Sequence, residues 1–226
     1  YARTNVDAFR NEDEANTDSL MLALSNGYET GNWDISSTVG FGYHNHDTKR
    51  HIVFGAINRT AKADFNSYDY SVGTQVGYKQ NIGNLYLRPH VEGQYSYTDL
   101  PDYSESDASS LNLDVKGRGY HRGRAAAGFD ASYPYTNSAG VNFNPALHLG
   151  AGYDFGNMGA PVTAAFTGTT TTFNVGSASV GHAFATAGAG LAINFQPGMD
   201  VYFDYNASIR DHETQHGLVA GVKLRW

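Results

Sequence analysis

The 226-residue sequence contains no cysteine, which excludes both a disulfide framework and a thiolate metal site. It also lacks any apolar run approaching the roughly 20 residues a membrane helix needs, so no transmembrane helix is predicted. The mean hydropathy of −0.43 does not by itself make the chain soluble, because strands that alternate apolar and polar residues average out polar. Proline is scarce, at 6 residues, which leaves room for many uninterrupted strands. Positive charge is in deficit, with a formal net charge of −7, and this argues against nucleic acid as a partner. No secretory signal stands at Tyr1, so the expectation is a processed chain or an excised domain.

What is abundant is glycine and aromatic residues: 26 Gly, 16 Tyr and 12 Phe favour strands with aromatic girdles over a helical bundle. The most informative segment is the last ten residues, GLVAGVKLRW. Period two places Leu218, Ala220, Val222, Leu224 and Trp226 on one face, with Lys223 and Arg225 on the other. One side of such a strand suits lipid and the other suits water.

Period-two segments run over 1–10, 19–30, 32–46, 67–80, 84–98, 119–133, 140–154, 182–195, 199–209 and 215–226. Short connections rich in Gly, Asn or Pro fall at 30–33, 81–84, 134–140 and 196–199. Long ones are expected at 11–18, 47–66, 100–118 and 155–181, with a shorter polar one near 210–214. Alternation of short and long connections predicts an antiparallel up-and-down transmembrane β-barrel with short turns at one rim and long loops at the other.

Face by face, Trp33, Ile35, Val39, Phe41 and Tyr43 oppose Asp34, Ser36, Thr38 and His44. Tyr68, Tyr70, Val72 and Val76 oppose Asp69, Ser71 and Gln75, while Leu87 and Val91 oppose Arg88, His90 and Glu92. A soluble sandwich carries the same alternation with the apolar face inward. Aromatics at strand ends, a polar face mixing Gly with charges of both signs, and the terminal Trp226 favour the membrane barrel.

Several stretches resemble the C-terminal translocator domains of type Va autotransporters. They are SYDYSVGTQVGYKQNIGNLYLRPHVEGQYSYTDLPDYSES, LNLDVKGRGYHRGRAAAGFDASY, PVTAAFTGTTTTFNVGSASVGHAFATAGAGLAINFQPGMDVYFDYNASI and the closing VAGVKLRW. Their order covers nearly the whole chain, and 1–226 is expected to be one such domain. The resemblance implies an outer-membrane location in a Gram-negative bacterium and a role in secreting an N-terminal passenger. The implied partners are that passenger in cis, the lipid bilayer and the barrel assembly machinery. Leu218, Val222, Leu224 and Trp226 would form the C-terminal signal read by that machinery. Family barrels have twelve strands, whereas the pattern here gives about ten, with RHIVFGAINRTAKADF resembling the loop after the fifth. Tyr1 then falls near the third strand of the family, with two strands, a linker helix and the passenger upstream. A ten-stranded barrel, or a hairpin concealed in 47–66 or 160–176, are the other readings.

Candidate chemistry is scattered. His44 and His46 share a face near Asp47 but lack a convincing third metal ligand. RGYHRGR at 118–124 is basic, yet Arg122 and Arg124 alternate onto the lumen face, where acids such as Glu92 can pair with them. Asp200 and Asp204 share a face, two positions apart along it, without a nearby histidine of similar depth, and GSASVGH at 176–182 fails the nucleophile-elbow spacing. A transport domain without catalytic residues, metal or cofactor is the resulting expectation. Arg88, Glu92, Arg122, Arg124, Asp130, Asp204 and Lys223 would line a hydrated lumen of mixed charge. The alternatives are a small-solute porin-type channel and a ten-stranded outer-membrane hydrolase.

Overall fold

The computed structural model describes residues 1–8, 13–156, 161–176, 181–196 and 198–224. Its strands, in chain order, are β1 (Ala2–Ala8), β2 (Asp13–Thr30), β3 (Trp33–Phe54), β4 (Ile57–Tyr78), β5 (Gln80–Ile82), β6 (Leu85–Leu100), β7 (Tyr103–Ser104) and β8 (Leu113–Val115). There follow β9 (Arg118–Ser132), β10 (Tyr135–Thr136), β11 (Asn142–Gly156), β12 (Val162–Phe166), β13 (Thr172–Val175), β14 (Ala183–Gln196), β15 (Met199–Arg210) and β16 (Thr214–Leu224). A 3-10 turn lies at Ser109–Leu111.

Ten strands build the wall in the order β1-β2-β3-β4-β6-β9-β11-β14-β15-β16, each antiparallel to its neighbours. Order in space follows order in the chain, as in an up-and-down meander, and the sheet curls into a half-barrel. Among the described residues, β1 and β16 each pair on one side only. Tight turns suit their sequences: Gly31 (φ +56°) closes β2 onto β3 and Gly55 (φ +55°) closes β3 onto β4, a conformation costly for residues with a Cβ.

The number of wall strands agrees with the period-two reading, but two expected loops are strand. Residues 47–66 continue β3 and β4 as one hairpin in unbroken register from Trp33↔Tyr78 to Phe54↔Ile57. Residues 13–18, expected in a loop, begin β2. The reason is the same in both. A membrane crossing needs only about 9–11 residues of strand. Beyond that length neither face is required to meet lipid, so Lys49, Arg50, Arg59 and Lys62 interrupt the apolar alternation while main-chain pairing continues. The strand-like pieces of 160–176 do form a hairpin, β12 with β13. It joins a separate sheet of order β13-β12-β8-β7 and adds nothing to the wall.

Burial is inverted relative to a soluble protein. The buried apolar side chains among the described residues are Ala61, Ala63, Ala108, Val115, Ala164 and Phe184. All but Phe184 lie where the small sheet meets the β3–β4 extension or within its own strands and loop. On the wall, Val72 is 48% exposed, Val91 57% and Leu218 74%, so among the described residues the apolar face is left largely uncovered. Aromatics band this face at both ends. Trp33 meets Tyr78 edge-on at 4.9 Å near the short turns, and Phe41–Tyr70 and Tyr43–Tyr68 lie 5.5 Å apart toward the long loops.

Candidate functional site

The opposite face of the wall carries charge in layers. Near the short turns, Arg88 on β6 donates to Asp34 on β3 through Nη2 at 2.5 Å and Nε at 3.0 Å, to Gln75 on β4 at 2.9 Å, and to Asp130 on β9 at 3.0 Å. Asp130 is also 3.0 Å from His148 Nδ1 on β11 and 3.4 Å from His90 Nδ1 on β6. His148 Nε2 stands 3.6 Å from Asp204 on β15. One chain of contacts thus crosses the wall from β3 to β15. Arg88 and Asp34 are 16% and 14% exposed, so their pairing takes place largely out of water, where charge-assisted hydrogen bonds are strong.

A second layer centres on Asp154 of β11, which is fully buried. Its carboxylate accepts from Arg122 at 2.6 Å and from Arg124 at 2.8 and 3.2 Å, both on neighbouring β9. Arg210 reaches it at 2.7 Å from β15, across β14. Phe184 of β14 lies between two of these guanidinium groups, 4.6 Å from that of Arg124 and 4.8 Å from that of Arg210. Cation–π contact and shielding from water both strengthen the cluster.

Toward the long loops, His44 bridges Ser19 (2.8 Å) and Asp69, and His46 bridges Thr17 (3.0 Å) and Ser67 (2.8 Å). These imidazoles tie β2, β3 and β4 together. Among the described residues no three His, Asp or Glu side chains converge as a metal site.

The small sheet is clamped to the β3–β4 extension. Arg50 donates twice to Glu105, at 2.9 and 2.5 Å, and once to the Leu111 carbonyl at 2.9 Å; Glu105 holds the guanidinium above its ordinary pKa. Tyr103 stacks on Phe65 at 4.0 Å, and burial pushes its phenol pKa up. Asp102 accepts the Gly117 N–H at 2.6 Å and lies 3.2 Å from Lys116 Nζ; both contacts lower its pKa. Ala61, Ala63 and Phe65 have the same parity on β4 as Ser71 and Gln75, so the sheet sits over the polar side of the wall.

The expected lining residues therefore divide. Arg88, Asp130 and Asp204 belong to the first layer, Arg122 and Arg124 to the second. Arg122 and Arg124 take Asp154 as their carboxylate, whereas Glu92 lies opposite Ala126 and borders a hollow of about 490 Å³ with His90, Arg124, Asp130, His148 and Thr186. Lys223 stands opposite Asp200, which accepts from Asn194 at 2.5 Å. Asp204 meets His148, so the two aspartates have different neighbours on the wall. Leu218, Val222 and Leu224 lie along the exposed face of β16. Trp226, and residues 177–180 of the Ser/His run, fall outside the described residues. Asp34, His148, Asp154, Phe184 and Arg210 were not anticipated. Strand parity places Asp154 with His148 and Gly152, but only the cross-strand register reveals its arginines.

Comparison with known proteins agrees with this architecture. The sequence pattern of the autotransporter β-domain matches residues 1–206. A search of curated sequences gives no significant match. The fold is similar to the translocator domain of autotransporter NalP from Neisseria meningitidis, with TM-score 0.67 and 16% identity over 95% of this chain and 69% of that one. It is also similar to the β-domain of the Bordetella autotransporter BrkA, with TM-score 0.54 and 14% identity over 95% of this chain and 92% of that one. The chain belongs to the autotransporter β-domain family and is a translocator barrel for passenger secretion.

Proposed function

We propose that residues 1–226 form one domain held in the outer membrane of a Gram-negative bacterium, with the apolar face against lipid and the charged layers lining a water-filled passage for a passenger in cis. The observation that carries this reading is the inverted burial: apolar side chains stay exposed along the wall while Arg88, Asp130 and Asp154 are paired on the opposite face. Arg122, Arg124, Asp204, Glu92 and Lys223 share that face and complete a lining of both signs, which suits an unfolded polypeptide of any sequence better than a field of one sign does. Although the family pattern ends at residue 206, β15 pairs with β16 from Met199↔Leu224 to Ile209↔Thr214, which supports including the last strand. Leu218, Val222 and Leu224 on that strand, together with Trp226 at the end of the sequence, serve as the signal for the barrel assembly machinery.

The role is conduction rather than catalysis. His44, His46 and His148 are engaged in cross-strand contacts with Ser19, Ser67 and Asp130, a structural use of these imidazoles. The test is protease treatment of intact cells expressing the full precursor. Digestion of the passenger while the barrel remains protected supports the reading. A passenger that stays shielded although the barrel is folded in the membrane contradicts it.

A further inference from the structure

The three arginines of the second layer crowd onto one carboxylate oxygen. Asp154 Oδ2 accepts from Arg122 Nη2 at 2.6 Å, from Arg210 Nη1 at 2.7 Å and from Arg124 Nη2 at 3.2 Å, three donors on an atom with about two lone pairs. Glu213 approaches Arg210 at 3.9 Å, but among the described residues Arg122 and Arg124 form ion pairs with Asp154 alone.

Arg122 is the member with donors to spare. On β11 it faces Gly156, which offers no side chain, and on β6 it faces Ser96. The next pair on the same face is Arg124 with Gln94. These four residues enclose a hollow of about 210 Å³. Its corners stand roughly 7 Å apart along the strands and 5 Å apart across them, a span that one small ion bridges. Among the described residues the Ser96 hydroxyl and the Gln94 amide have no hydrogen-bond partner. The carboxylates on either side, Glu92 and Asp69, stand opposite Ala126 and Thr98, and neither borders the hollow; Asp69 is held by His44.

We propose that Gln94, Ser96, Arg122 and Arg124 form a binding site for a small tetrahedral oxyanion of the phosphate class. Arg122 offers Nε and Nη1, Arg124 offers Nη1, and the amide N–H of Gln94 and the hydroxyl of Ser96 complete the ring of donors. Donors that converge from four corners match an anion with an oxygen for each, whereas a planar carboxylate presents two. The anion supplies the second negative group that the arginines lack, and it ties β6 to β9. Binding needs water on the charged face and no passenger, so it is independent of secretion.

The experiment uses the full-length protein, folded in detergent, in equilibrium dialysis against radiolabelled inorganic phosphate at fixed ionic strength. Saturable binding is expected, and phosphate should also raise the temperature at which the barrel loses its folded mobility on gels. Arg122→Gln should weaken binding about ten-fold or more, the value of one charge-assisted hydrogen bond. Gln94→Leu combined with Ser96→Ala leaves the Asp154 cluster untouched and should weaken binding several-fold, which separates the site from a general loosening of the fold. No saturable binding by the wild type, or binding unchanged in both variants, would overturn the proposal. Competition by acetate as effective as that by unlabelled phosphate would overturn the tetrahedral assignment.

Discussion

Arg88 and Asp34 lie on strands that are not neighbours, and their ion pair closes over Gly77 of the strand between them. Asp34 is in register with Gly77, and Gly77 with His90, so the absent side chain is the gap through which the guanidinium passes. A similar arrangement recurs where His148 approaches Asp204 past Gly190, which is paired to Asp204. Glycines on the polar face thus let charged side chains bind a strand two places away, which stiffens the curl of the wall.

Gly77→Ala tests this directly. A Cβ there would fall 2.6 Å from Arg88 Nε, so the arginine must leave its bidentate position, at an expected cost of about 1–3 kcal/mol. Guanidinium unfolding in detergent measures it. Gly27→Ala, whose Cβ would meet nothing within 4 Å, should change stability far less and serves as the control.

Asp154→Asn leaves three arginines gathered around a neutral group. Breaking a buried ionic cluster from one side costs about 3–5 kcal/mol, so the heat-modifiability temperature should drop markedly. Arg122→Gln should cost under about 1 kcal/mol, because Arg122 is 43% exposed and water screens its share of the interaction. Equal effects of the two changes would contradict the central place given to Asp154.

The clamp on the small sheet should weaken in alkali. Burial raises the Tyr103 pKa above its ordinary value of 10.0, so the neutral phenol is the form the fold favours. Its contribution is complete below pH 10 and is lost as pH rises through the folded-state value. The difference in tyrosinate absorbance between the wild type and Tyr103→Phe should therefore titrate above pH 10. Titration at or below that value would show the phenol to be solvated.

The last strand carries its own prediction. Deleting Trp226 should reduce insertion several-fold without changing synthesis, read as the folded fraction on unheated gels, and Leu224→Ser should weaken it in the same sense. Wild-type insertion after the deletion would remove the proposed assembly signal.

Much of the wall was legible because each crossing must satisfy two solvents at once, which imprints period two on segments such as 67–80. Legibility fails where that demand ends. In the β3–β4 extension neither face is required to meet lipid, so the regular apolar alternation lapses. The charged layers were half visible: parity places Arg124 and Asp154 on one face, but which acid meets which base depends on register. Glu92, the acid adjacent in the expected pairing, is set opposite Ala126 instead. The β12–β13 hairpin could be suspected from its Val, Thr and Phe content, but its membership in a separate sheet depends on long-range pairing with β8.

The most direct measurement exploits the absence of cysteine: single cysteines placed along 71–76, spin-labelled in bilayers and probed with oxygen and a water-soluble nickel chelate. High oxygen contact is expected at Val72→Cys and Val76→Cys, high nickel contact at Ser71→Cys and Gln75→Cys, with strict alternation between them. Alternation of the opposite sense, or nickel access at every position, would contradict a wall with lipid on its apolar face and water on its charged one.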